Sequence, residues 1–495
     1  MAEHEVSPDS DVPSNRVRNV HDRPANANRD YVLYWMIAAR RTHWNYALQR
    51  AVDWCRRLRK PLVIFEPLRC DYRWASDRLH HFVIEGMADN AQRLDRKGVT
   101  YFPYVEPSRG ADNGLLRGLA EQAAVVVTDD YPAFFLPGMI ASAAEQIGTH
   151  FEAVDSNGLL PLSASDKPYL RAVDFRRHLQ RQLPDHLMAT PAADPLHRIR
   201  LPGAKPLARS ITRRWPPVMP KQLADPAALI RNLPIDHSVG PASLRGGSKS
   251  ADKTLRDFLG NKLARSESEG NHPDSDTTSN LSHYLHFGHI ASHEIFATLA
   301  EQEKWNPAKL ASQANGRREG WWGMSAVAES FLDQLVTWRE LGFNMCTHRR
   351  DYARFSSLPD WALATLQKHS KDRREFVYTL EQFAAAATHD PLWNACQRQL
   401  LQEGRLHNYL RMLWGKKILE WTRTPREALR VMIELNNRYA VDGRDPNSYS
   451  GIFWVLGRYD RPWAPERPVF GRLRYMSSAN TLRKLRVRKY LEKYG

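Results

Sequence analysis

Trp393, Trp414 and Trp421 lie close together in a chain already rich in aromatic and basic residues. Trp414 and Trp421 fall within Tyr409–Trp421, a stretch with helical character, and are seven residues apart. Seven residues make nearly two turns, so both indoles share one face about 10 Å apart along the axis. An indole takes more room than Leu or Ile and needs a partner for its N–H. A line of such easily oxidised rings carries electrons from a protein surface to a buried acceptor. Aromatic stripes at helical spacing also arise from packing alone, and composition does not separate the two.

Four further patterns offer chemistry. Thr278-Ser279-Asn280-Leu281-Ser282 places small hydroxyl residues ahead of the apolar run Tyr284–Phe287. Such a helix opening presents N–H and O–H donors to an anion, and serves equally as a plain N-cap. Gln334 and Trp338 are four apart on a predicted helix beginning near Ala326, followed by Arg339, whose guanidinium suits phosphate. His407, Arg411 and Trp414 share one helix face, with Asn408 and Met412 on the adjacent one. These make an odd core and a reasonable wall for a flat polar heterocycle. Finally, Asn436 precedes Asp442-Gly443-Arg444-Asp445-Pro446-Asn447 and Trp454. Two acids around Gly and Pro give a rigid turn with acceptors for hydroxyls or an amine. The turn lacks the Gly and Glu of a calcium loop, and no His, Cys or Asp cluster has metal-ligand spacing, so no metal is expected.

These residues need elements to hold them. A chain of 495 residues exceeds one ordinary core. Residues 1–29 are polar and read as a disordered tail, neither a signal peptide nor a membrane span. Residues 30–170 alternate strand and helix signals. Tyr31–Trp35, Pro61–Phe65, Val99–Val105, Ala124–Thr128 and Phe151–Val154 read as strands, and Asn45–Leu58, Arg78–Leu94 and Gly114–Ala123 as helices. That alternation predicts a Rossmann-like parallel sheet, although no GxGxxG or P-loop is present. Residues 171–250 are crowded with prolines between Pro191 and Pro241 and read as an extended interdomain linker. Residues 251–495 are almost wholly helical. Thr424-Pro425-Arg426-Glu427 is a helix start, with Thr as cap, Pro first and Glu third, and the helix is predicted to run to about Tyr439.

The net charge is +16, which favours a polyanionic partner. The segment Tyr459–Tyr475 interleaves Arg461, Trp463, Arg467, Arg472 and Arg474, a pattern that stacks on bases while it contacts phosphates. The basic stretch Leu482–Tyr494 reads as nucleic-acid contact or as a solvated terminal helix. Four cysteines without a CxxC pair point to a reducing, cytoplasmic setting. No apolar run approaches the ~20 residues of a membrane span.

Several long motifs then bear a resemblance. Thr388-His389-Asp390-Pro391-Leu392-Trp393-Asn394-Ala395, the run Leu410–Trp421, Asp442–Asn447 and Glu466-Arg467-Pro468-Val469-Phe470-Gly471 look like the class II cyclobutane-pyrimidine-dimer DNA photolyases. The match runs in order across Ser279–Tyr475 and is looser over Ser279–Gly288 and in the α/β half. It implies a photolyase/cryptochrome architecture, an α/β domain followed by a larger all-α FAD-binding domain. It also implies light-driven repair of pyrimidine dimers in double-stranded DNA by electron transfer from excited reduced FAD to the flipped-out dimer. A monomeric enzyme follows, and the wider family includes members that carry a second antenna chromophore, deazaflavin or folate, in the α/β domain. A cryptochrome-like blue-light receptor on the same FAD fold is the alternative.

By motif, the resemblance makes Trp414 the indole nearest the flavin, with Trp393 and Trp421 completing the chain. Asn436 would face flavin N5. Ser279, Leu281 and Ser282 would line the phosphates with Arg339 nearby, and Asn408, Arg411, Asp442 and Asp445 would lie along the isoalloxazine and ribityl. Trp338, Met412 and Trp454 would bracket the dimer. The chain departs from the family at Gln334, where a Glu usually bonds the dimer. Ser266 and Gly270 stand where Tyr and Arg are common.

Overall fold

The computed structural model describes residues 10–203 and 206–495. It divides into two compact units, one comprising residues 1–164, 182–254 and 281–301, the other 165–181, 255–280 and 302–495.

The first unit is built on a six-stranded sheet. Its strands are β1 (Val17–His21), β2 (Tyr31–Trp35), β3 (Leu62–Leu68), β4 (Thr100–Val105), β5 (Ala123–Asp129) and β6 (His150–Val154), in the order β1-β6-β5-β2-β3-β4. All neighbours are parallel except β1, which runs antiparallel to β6. The crossovers are α1 (Tyr46–Leu58), α2 (Asp77–Leu94), α3 (Leu115–Ala120) and α4 (Leu136–Gln146). Every residue of β2, β3 and β5 is buried because helices cover both faces. Tyr31, Leu33 and Trp35 point to the α3–α4 side, and Val32 and Tyr34 to the α1 side.

The strand order reverses between β2 and β5, where open α/β sheets usually receive a ligand. Here the loop after β2 is held by a side chain. Asp129 Oδ2 accepts the N–H groups of Ile37, Ala38 and Ala39 at 2.7–3.0 Å, and Oδ1 accepts the Tyr34 hydroxyl at 2.8 Å. The donors that would cradle a phosphate are thus used internally, in accord with the missing glycine motif.

Three expectations need correction, one of them that 251–495 is a single body, since residues 251–254 and 281–301 belong to the first unit. The polar stretch 1–29 is not wholly a disordered tail. Residues 1–9 lie outside the described residues, but a helical turn, Ser14–Arg16, leads into β1. β1 is legible only through its pairing, since Val-Arg-Asn-Val-His has little apolar content and gains its place from backbone bonds to β6. Nor is 171–250 a free linker. Residues 182–254 belong to the first unit. Ile211 and Trp215 enter the core on the α3–α4 side, Leu196 enters the other, and Val218, Leu223, Ile230 and Leu233 cover α2. The prolines start short helices at Pro220 and Pro226 rather than spacing two bodies.

The second unit is helical. Its relevant elements are α5 (Ala326–Leu332), a π-helical stretch Asp333–Trp338, α6 (Arg339–His348), α7 (Pro391–Glu403), α8 (Asn408–Trp421), α9 (Pro425–Tyr439) and α10 (Pro446–Val455). Side chains set the helix starts. Asp390 accepts Trp393 N–H at 3.0 Å, Thr424 accepts Glu427 N–H at 3.1 Å, and Asp445 accepts Asn447 N–H at 2.8 Å. Among the described residues no helix is long and apolar enough to cross a membrane.

Candidate functional site

α8 supplies the centre of the site. Gly415 lets it approach its neighbours, since a Cβ there would sit 2.6 Å from Val455 Cγ2 and 3.1 Å from Met432 Sδ. The close fit sets Arg411 beside α9 and the turn that follows it. The Arg411 guanidinium donates to Asn436 Oδ1 and to Asp442 Oδ1, both at 3.4 Å. The Asn436 amide in turn donates to Ser448 Oγ at 2.8 Å and to Asn437 Oδ1 at 3.2 Å. Asn436 is 1% exposed and Asp442 9% exposed, so the guanidinium, amide and carboxylate meet away from bulk water.

The turn itself is pinned. Asn437 Oδ1 accepts the Arg444 N–H at 3.0 Å, the Arg444 guanidinium donates to the carbonyls of Asn437 and Val441, and Arg444 has φ +69°. Gly443 lies so close to the end of α9 that a Cβ would meet Asn436 O at 2.7 Å. Substituting it would push the turn, and Asp442 with it, off Arg411.

The indoles form a buried line. Trp414, Trp393 and Trp421 are 1%, 0% and 3% exposed. Trp414 Nε1 donates to Gln397 Oε1 at 2.9 Å, and Trp393 Nε1 donates to the Trp414 carbonyl at 3.0 Å. Trp393 and Trp421 meet edge to face with centroids 6.1 Å apart. Beyond Trp421 stand His389 at 4.9 Å and Tyr378 at 5.7 Å, the Tyr378 hydroxyl and His389 Nδ1 sharing a hydrogen bond at 2.7 Å. Arg411 and Trp414, one turn apart on α8, connect the polar set to this line.

Trp338 and Trp454, far apart in sequence, have ring centroids 6.1 Å apart at 51°. Both are half-buried, as is Met412, whose Cε lies 4.0 Å from where a Cβ on Gly451 would stand. Gln334 is exposed. Gln334 and Trp338 occupy the π-helical stretch, a local widening that is frequent where a helix carries functional side chains.

The remaining candidates are more scattered. Arg339 is buried with its guanidinium 4.4 Å from the Phe343 ring centroid. Asp445 is buried as the cap of α10, and Asn408 is exposed at the first position of α8. Ser279 is half-buried and belongs to the second unit. Leu281, buried, and Ser282, exposed, belong to the first, at the start of the short helix Ser282–His286. Sequence reasoning missed Gln397, Asn437 and Ser448, which position Trp414, Arg444 and Asn436. They are ordinary polar residues whose partners lie on other elements, and no local pattern marks them.

Lys416 is buried beside this site. Its Nζ donates to the Val455 carbonyl at 2.6 Å, closing the C-terminal end of α10, the helix that carries Trp454. Burial pushes its ammonium down to about 7. A lysine whose folded value is lowered binds more protons when unfolded, so its contribution to stability rises as pH climbs from about 7 toward the ordinary lysine value. Stability should therefore increase over pH 7–10, at up to about 1.4 kcal/mol per pH unit from this group. Lys416→Met should flatten the rise, and urea midpoints measured across that range check it. An identical pH slope in the variant would contradict the assignment.

No family model matches the chain. The chain is 34% identical to the deoxyribodipyrimidine photo-lyase of Methanothermobacter thermautotrophicus over 487 residues, covering 97% of this chain and 98% of that protein. It is 29% identical to the deoxyribodipyrimidine photo-lyase of Arabidopsis thaliana, covering 93% and 88%. Among solved structures, a bacterial class III photolyase from Agrobacterium tumefaciens shares the fold, with a TM-score of 0.66 at 17% identity over 94% of this chain and 86% of that one. With a relative matched end to end at this identity, and a sheet-plus-helix fold shared with a solved photolyase, the chain belongs to the deoxyribodipyrimidine photo-lyase family.

Proposed function

We propose that this chain is a light-driven DNA repair enzyme of the class II type, which splits cyclobutane pyrimidine dimers using FAD held in its second unit. The observation that carries the proposal is the arrangement around α8. A largely buried guanidinium–amide–carboxylate set adjoins a line of indoles, and Met412 of the same helix lies near α10, which bears one ring of the Trp338–Trp454 pair. The donor set fits a flavin. Arg411, Asn436 and Asp442 offer donors and acceptors to the polar edge of a flat heterocycle, while Ser279 and Arg339 of the same unit suit a diphosphate and Asn408 and Asp445 the ribityl hydroxyls.

FAD held there in its reduced form would supply the light absorption and lend the electron that opens the cyclobutane ring, the electron returning once the ring has split. The protein's residues do the rest. Trp421, Trp393 and Trp414 pass electrons inward, and the two Nε1 hydrogen bonds hold Trp393 and Trp414 in fixed orientation. Trp338 and Trp454 stack on bases taken out of the duplex, and Met412 adds an apolar, adaptable surface. Basic residues around Trp463 contact the phosphates of double-stranded DNA. The enzyme is monomeric and cytoplasmic.

The deciding experiment incubates purified protein with dimer-containing DNA in the dark and under blue light and counts the remaining dimers. Loss in light alone supports repair. A yellow protein that leaves dimers intact under light would point instead to a blue-light receptor.

Gln334 gives a separate prediction. A Glu must be protonated to donate to a base carbonyl, whereas the Gln amide donates at any pH. Wild-type repair should therefore be flat with pH through the carboxylate range. Gln334→Glu should introduce a fall in repair as pH rises through the Glu titration, with a change of yield at neutral pH. Dimer-splitting quantum yield measured against pH tests this, and superimposable profiles would refute it.

A further inference from the structure

We propose that His43, Asp252 and Glu294, all in the first unit, form a binding site for one divalent transition-metal ion of the zinc type. The three residues come from separate segments. His43 lies between β2 and α1, Asp252 on the helix Ser248–Asp257, and Glu294 near the start of the helix Ser292–Gln302. One ligand atom from each lies within 4.8 Å of the others.

His43 is the independent indication. It is 5% exposed, and neither ring nitrogen has a hydrogen-bond partner. A buried neutral imidazole ordinarily has one nitrogen donating and the other accepting. Its Nε2 faces Glu294 Oε2 at 3.3 Å, yet the two are not aligned for a hydrogen bond, and Glu294 Oε2 is itself buried without one. Two ligands about 2.0–2.2 Å from a tetrahedral ion are separated by about 3.4 Å, so this spacing suits atoms that share a metal. Asp252 is oriented by Arg93, whose Nη2 donates to Asp252 Oδ2 at 3.3 Å. A ligating carboxylate that is itself hydrogen-bonded is usual at metal sites.

One imidazole with two carboxylates favours zinc-like ions over magnesium, which prefers oxygen ligands in an octahedral set. The two carboxylates neutralise the ion, and water completes the coordination. The role is structural. The metal fastens the loop after β2 to two helices that arrive more than two hundred residues later in the chain.

The test strips the full-length protein with chelator, re-adds zinc, and measures bound metal by mass spectrometry and thermal melting. Wild type is compared with His43→Gln and Glu294→Gln. Wild type should retain one equivalent that both variants lose, and zinc should raise its melting temperature but not theirs. Magnesium at the same concentration should do neither. Cobalt substituted for zinc should give visible absorption that is absent in the variants. Should one variant fail to fold, the other and the wild-type cobalt spectrum still decide. A wild type that holds no zinc would overturn the proposal, leaving only a His43–Glu294 contact. So would an equivalent retained in either variant.

Discussion

Replacing Trp338 or Trp454 with alanine is expected to weaken binding of dimer-containing DNA by about 1–3 kcal/mol each, roughly 5- to 150-fold. Each ring is half-buried, with centroids 6.1 Å apart, so each offers a face to an unstacked base and braces its neighbour. The double variant should lose less than the sum, because removing one ring frees the other to move. Undamaged duplex should bind almost unchanged, since contacts with its phosphates do not involve these rings. Fluorescence anisotropy with matched damaged and undamaged oligonucleotides measures both. Equal losses on the two DNAs would show that the pair supports the fold and not the lesion.

Arg411→Ala should strip the flavin and destabilise the second unit. The guanidinium bridges Asn436 Oδ1 and Asp442 Oδ1, and its side chain and that of Asp442 are 15% and 12% exposed. Its removal leaves a mostly buried carboxylate without its cation, a loss of about 2–4 kcal/mol. The bonds are long at 3.4 Å, which places the effect toward the lower end. Arg411→Lys keeps the charge but not the planar fork that reaches two acceptors at once, so it should recover stability more than flavin content. Flavin absorbance per polypeptide and urea midpoints separate the two effects. A fully yellow Arg411→Ala protein would remove Arg411 from the cofactor site.

The chain's local chemistry predetermined a large part of this. Tyr31–Trp35 is a strand with the expected bounds, because a run of β-branched and aromatic residues has nowhere to go but a sheet buried on both faces. Thr424 caps α9 as the Thr-Pro-Arg-Glu start predicts, because caps act within a turn, and the helix ends at Tyr439 as expected. The spacing of Trp414 and Trp421 likewise follows from helix geometry. Tertiary structure alone decided what depends on distant partners. β1 is a strand because β6 offers it a backbone edge, not because of its own residues. The proline-rich segment folds onto the first unit because Trp215 and Ile211 find a core there. Gln397 becomes a tether for Trp414, and His43 meets Glu294 across some 250 residues of chain, only once the helices pack. Short-range forces can be read along a sequence, whereas burial and the pairing of polar groups exist only after the chain has closed on itself.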